Sequence, residues 1–161
     1  IEGFNTFLEN QIEVQKVWGE LSPNGIYNNL IIFGLNEKIS EIMIYILGGL
    51  SFIMVFVCKD NWKKLFMLCF IIVMCPMWSG AYTPAFFTIP FLYLLSQAEY
   101  IENKFDFFYI ALFSLLFTSS CFTFAISSRK IFIIAMILFI LIIINEITNC
   151  NNCKKTEKIK S

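Results

Sequence analysis

Histidine is absent from the 161 residues, and charge is scarce: 15 % Asp, Glu, Lys and Arg against 58 % apolar and 17 % aromatic. Without histidine there is no Ser-His-Asp triad, no Cys-His pair and no histidine-bearing metal site. Twelve Lys+Arg balance twelve Asp+Glu, so the net charge is zero. Nucleic acid therefore finds no basic groove, and no nucleic-acid partner is expected. No basic leader with a cleavage site opens the sequence at Ile1; the expectation is a C-terminal part of a longer protein. The cysteines are six. Cys58, Cys69, Cys75 and Cys121 lie in or beside apolar runs, where cysteine acts as a small hydrophobe rather than a disulfide framework. Cys150 and Cys153 make a single CxxC pair, half of a zinc ligand set. No metal and no cofactor is expected.

What is present is apolar sequence in long pieces. Charge-free runs cover 42–58, 65–98, 107–128 and 131–145. A bilayer-spanning helix needs roughly 17–25 mostly apolar residues, so the fold class expected is an all-α membrane protein with about five transmembrane helices. The first span is about 39–58, with Gly48, Gly49 and Ser51 suited to close helix packing. The run 65–98 is 34 residues long, too long for one crossing, and Pro76, Gly80 and Pro84 punctuate it. It reads as a short-helix hairpin: one helix near 63–76, a turn, and a second helix near 83–98 that Pro90 kinks. Span four is about 107–126, with Ser114, Thr118, Ser119, Ser120, Thr123 and Ser127 expected to turn several hydroxyls into the bundle. Span five is about 131–149.

Three parts follow. Residues 1–38 form an amphipathic interfacial segment, with Phe4, Phe7, Leu8, Ile12, Val17, Trp18 and Leu21 near helical spacing. Residues 39–149 form the transmembrane bundle. Residues 150–161 form a lysine-rich tail, expected to be disordered. Loops 59–64 and 99–106 and the tail hold eight lysines; the other side holds Lys16, Lys38, Arg129 and Lys130. The lysine-rich side is cytoplasmic by the positive-inside rule, which makes the plasma membrane of a bacterium, judged from the Ile-, Phe-, Asn- and Lys-rich composition, the expected location.

Chemistry has few places to sit. The turn from Pro76 to Pro84 carries Trp78, Ser79 and Tyr82; aromatic faces stack on sugar rings and hydroxyls pair with their OH groups. The same residues also suit a plain interfacial aromatic belt. Ser22 can cap a helix whose N-terminus faces an anion, or cap it and nothing more. Glu146 is the one acid at the edge of an apolar run, and the reading is that it snorkels to the cytoplasmic interface. No buried carboxylate offers a general base on the outer side.

The stretches Trp18-Gly-Glu-Leu-Ser-Pro-Asn-Gly25, Asn61-Trp-Lys-Lys64, Ser79-Gly-Ala-Tyr82 and Ile89-Pro-Phe91 together resemble the C-terminal portion of integral-membrane glycosyltransferases of the GT-C class. The group is glycosyltransferase family 87, polyprenol-phosphate-mannose-dependent mannosyltransferase-like, over roughly residues 4–125. The resemblance implies transfer of a sugar, mannose in that family, from a polyprenyl-phosphate donor to a lipid or glycan acceptor on the outer face. It implies membrane lipid and the lipid-linked sugar as partners, and a catalytic acid in an upstream outer loop. Tyr82, with Ser79 and Trp78, is the substrate-binding set; the family's His-Tyr pair at this turn is Ala81-Tyr82 here. The alternatives are a polytopic transport or polysaccharide-export protein, or a non-catalytic membrane subunit.

Overall fold

A computed structural model describes residues 25–76, 83–97, 104–117 and 124–160. Among them are six α-helices and one 3-10 helix, and no strand: α1 (Ile26–Ile32), α2 (Glu37–Val57), α3 (Asn61–Met74), the 3-10 helix Thr83–Phe87, α4 (Thr88–Ser96), α5 (Lys104–Phe117) and α6 (Phe124–Lys160). Of the expected interfacial segment 1–38, residues 1–24 with the Ser22 cap lie outside the described residues, and 25–38 hold α1 and the start of α2.

The joints have local causes. Gly34 ends α1 at φ +87, a left-handed position that a Cβ penalises. Its N–H donates to the Ile31 carbonyl at 2.8 Å and that of Leu35 to the Leu30 carbonyl at 3.0 Å, which closes the helix C-terminus. Two residues later Asn36 caps α2, its side-chain oxygen accepting from the Lys38 N–H at 3.0 Å. Pro90 lies in the first turn of α4, where a missing N–H costs nothing. The expected kink is replaced by a change of winding, from 3-10 to α, just ahead of it.

Long-range contacts fix the direction of each helix. The Ser51 hydroxyl of α2 donates to the Met67 carbonyl of α3 at 2.9 Å, and a Cβ on Gly48 would stand 3.3 Å from Cys75 Sγ. α2 and α3 are therefore antiparallel and close, as the small residues foretell at 48 and 51. Gly49 meets no neighbour. The Cys69 thiol donates to the Phe86 carbonyl at 3.4 Å and the Asn61 amide to the Tyr93 hydroxyl at 3.5 Å, so the chain reverses between α3 and α4. Trp62 and Phe66 of α3 meet Tyr109 and Phe113 of α5, which runs parallel to α3. Phe70 stacks on Phe139 of α6 at 4.5 Å, and Lys63 reaches Glu146, so α6 runs against α3. Helices α2 to α6 alternate in direction. Their shared interior is aromatic: Phe66, Phe70, Phe87, Phe113 and Phe139 are buried, with Trp62 and Tyr109 at one end.

Several expectations change. Among the described residues, Glu37–Val57 and Arg129–Asn149 are the helices long and apolar enough to cross a membrane; Ala85–Ser96 and Asp106–Phe117 are apolar but shorter. The 127–130 segment, read as a loop, is helical, and α6 continues through 150–160 where disorder is expected. Nothing in 124–160 breaks it, since neither Pro nor Gly occurs there. Ser114 does not face the bundle: it is exposed, and its hydroxyl donates back to the Ile110 carbonyl at 2.8 Å.

Candidate functional site

One end of the bundle gathers the start of α3, the end of α4, the start of α5 and residues 145–149 of α6. Its centre is Lys63. The ammonium stands 2.8 Å from Glu146 Oε1 and 2.6 Å from Asp60 Oδ2. Lys63 and Glu146 side chains are 4 % and 5 % exposed, while Asp60 is 49 % exposed. Charges are almost never buried unless paired, and here the cation has one partner inside and one at the edge.

Sequence places each group simply. Asp60 precedes α3 at its N-cap position, three residues before Lys63. Its side chain makes no capping bond and turns to the ammonium instead. Glu146 comes from the last apolar turn of the other end of the chain, 83 positions away. The Lys63 ammonium also lies 5.7 Å over the Trp62 ring, a cation–π contact. Trp62 in turn meets Tyr109 edge-on at 4.8 Å. The Tyr109 hydroxyl donates to the Leu141 carbonyl and accepts from the Asn145 amide, both at 3.3 Å. α5 and α6 are thereby bonded side by side at this end.

Cys58, between α2 and α3, is buried beside the cluster. Burial, and then the Glu146 carboxylate, push its thiol up to about 11; it is a protonated, poorly nucleophilic thiol. No group of three or more Cys, Asp or Glu able to hold a metal occurs among the described residues.

Glu146 does not snorkel out. It is drawn inward because Lys63, in the Trp-Lys-Lys loop of the sequence reading, is itself helical and buried on α3. The two signals were visible separately: an acid at the edge of an apolar run, and a basic loop of matching charge. Their pairing is tertiary. Trp78, Ser79 and Tyr82 lie outside the described residues. Their flanks are described: Pro76 follows the end of α3, and Thr83 begins the 3-10 helix. Both flanks belong to the end opposite Lys63, where Phe33, at the C-cap of α1, meets Phe132 of α6, 6.2 Å apart.

Comparison with protein-family models, with curated proteins and with solved structures finds no match for this chain.

Proposed function

We propose that this chain is an integral-membrane helical bundle in which α2 to α6 make five passes, the shorter ones embedded through their packing on α2 and α6. The observation that carries this reading is the outer face of α2. Ile42, Tyr45, Ile46, Phe52, Ile53 and Phe56 are all exposed, Tyr45 at 80 % and Phe56 at 75 %. A helix that is apolar all round belongs in a protein core or in lipid, and only 22 % of the most apolar stretch of α2 is buried. Acyl chains are the solvent that such a face fits. At ~1.5 Å per residue the 14-residue α3 measures about 21 Å, short of a ~30 Å hydrocarbon core. Backbone at its ends is tolerated where protein covers it.

For activity the reading is the C-terminal portion of a glycosyltransferase that takes a sugar from a polyprenyl-phosphate donor. The sequence resemblance supports it, with Trp78, Ser79 and Tyr82 as the sugar-facing set on the outer side and the lysine-rich end in the cytoplasm. The test uses the full-length protein in vesicles loaded with a radiolabelled polyprenyl-phosphate sugar. Transfer to lipid or glycan that falls with Tyr82→Phe and Trp78→Ala supports it; no transfer from any such donor, with α2 to α6 inserted, removes it. The buried Lys63–Glu146 pair favours a second reading, transport, because ionisable groups inside membrane bundles mark substrate or ion pathways. Uptake by the same vesicles without consumption of lipid-linked sugar distinguishes it.

A further inference from the structure

The two partners of Lys63 sit on different elements and differ in access to water. Asp60 belongs to the α2–α3 connection and is half exposed; Glu146 belongs to α6 and is buried. Asp60 gives up helix capping to reach the ammonium. We propose that Lys63 is a two-position latch: it bridges α3 to α6 through Glu146 when this end of the bundle is closed, and it is held by Asp60 alone when α6 draws away. The inference does not depend on sugar transfer.

The surroundings fit a latch better than a fixed staple. A lysine with a single buried partner is orphaned when the pair opens, and an unpaired buried charge is strongly disfavoured. Asp60 removes that obstacle, since it keeps the ammonium neutralised at the water-facing edge. α5 is bonded to α6 through Tyr109, Asn145 and the Leu141 carbonyl, so the two helices move together. Across the parting line stand the ion pair and non-directional ring contacts that can slide: Trp62 on Tyr109 and Phe113, Phe66 on Phe113, and Phe91 on Phe113 and Phe117. Deeper in the bundle the parallel stack of Phe70 on Phe139 supplies a pivot that need not break. Opening leaves Glu146 as the group to be resolvated, at the end of the apolar part of α6.

Cys58 is a native reporter. It is 2 % exposed at the latch, while Cys69, 7 % exposed, lies near the middle of α3 against the 3-10 helix. The full chain in detergent micelles or vesicles is alkylated with N-ethylmaleimide, and each cysteine is followed by peptide mass spectrometry. Glu146→Gln keeps the shape and removes the charge, which also eases Cys58 deprotonation, so labelling rates are taken per thiolate from a pH series. So corrected, Cys58 labelling is expected to rise about tenfold, since a charge-assisted bond becomes a weaker neutral one, with Cys69 unchanged. Asp60→Asn removes the competing outer partner, and Asn remains a good N-cap; Cys58 labelling is expected to slow. The opposite signs are the signature. If Asp60→Asn leaves Cys58 labelling unchanged or speeds it, the three groups are a fixed network and the latch is overturned. If Cys69 accelerates together with Cys58 in Glu146→Gln, the bundle loosens as a whole and the latch is likewise overturned. Should Glu146→Gln fail to fold, the sign of the Asp60→Asn effect decides alone.

Discussion

Replacing Lys63 with Met removes the cation from a cluster that keeps two carboxylates. The two are not equally harmed. Asp60 is 49 % exposed and is rehydrated where it stands; Glu146 is 5 % exposed and is left as a buried anion without a partner. Removing one member of a buried pair costs about 3–5 kcal/mol, and nearly all of it here belongs to Glu146. Glu146→Leu is the unequal mirror. It leaves Lys63 bound to Asp60 at 2.6 Å, so no charge is orphaned and the loss is one charge-assisted hydrogen bond, about 1.5–3 kcal/mol. The double variant Lys63→Met/Glu146→Leu buries no ion at all, and apolar replacement of a buried pair is often neutral; it is expected to lie within about 1 kcal/mol of the parent. Reversible unfolding in mixed micelles, followed by far-UV circular dichroism, gives the three free energies and hence the coupling between the sites. The reasoning requires the order Lys63→Met worst, Glu146→Leu intermediate, double variant best. If the two single losses simply add, or Glu146→Leu is the worse of the two, the ion pair does not control this end of the bundle.

Other outcomes are expected elsewhere. Gly49→Ala, where a Cβ meets nothing, raises stability by up to about 1 kcal/mol through helix propensity, whereas Gly48→Ala gains less because its Cβ presses on Cys75 Sγ at 3.3 Å; thermal melts of the pair test the difference. Ser51→Ala removes the hydroxyl that donates to the Met67 carbonyl and costs about 0.6 kcal/mol, the average for hydrogen bonds between membrane helices; the same melts read it. Tyr109→Phe loses two 3.3 Å hydrogen bonds between α5 and α6, about 1 kcal/mol, and hydrogen exchange at the end of α6 accelerates while that of α2 does not. Reporters placed after Gln97 and after Lys160 are expected on one side of the membrane and a reporter at Asn36 on the other; any other distribution removes the five-pass arrangement.

The helices themselves were largely written in the local pattern. Charge-free runs place α2 and the apolar part of α6, and Pro76 with Pro84 places the reversal between α3 and α4, because length, apolarity and a missing N–H act within a few residues. Gly48 and Ser51 carry a packing signal that the contacts with Cys75 and Met67 bear out. Gly49 carries the same signal without a neighbour, since adjacent helix positions point about 100° apart. The charged cluster was not legible. Glu146 near a helix end reads as an interfacial acid, and the lysine that holds it lies 83 positions earlier. Ser114 is a similar case: a hydroxyl can satisfy itself on its own helix, so polarity alone does not tell which way a residue faces. Trp78, Ser79 and Tyr82, being outside the described residues, stand on the sequence alone.

The unbroken run of α6 has a mechanical side. Its 37 residues give a rod about 55 Å long, against a hydrocarbon core of about 30 Å. An arm of roughly 16 Å, residues 150–160, then extends past the apolar segment with no hinge residue in it. A tilt of about 10° about the level of Phe139, the pivot, moves Glu146 by about 2 Å and the far tip by about 5 Å. A load on that tip acts on the ion pair with the advantage of a crowbar, and a small shift at the ion pair is returned there enlarged.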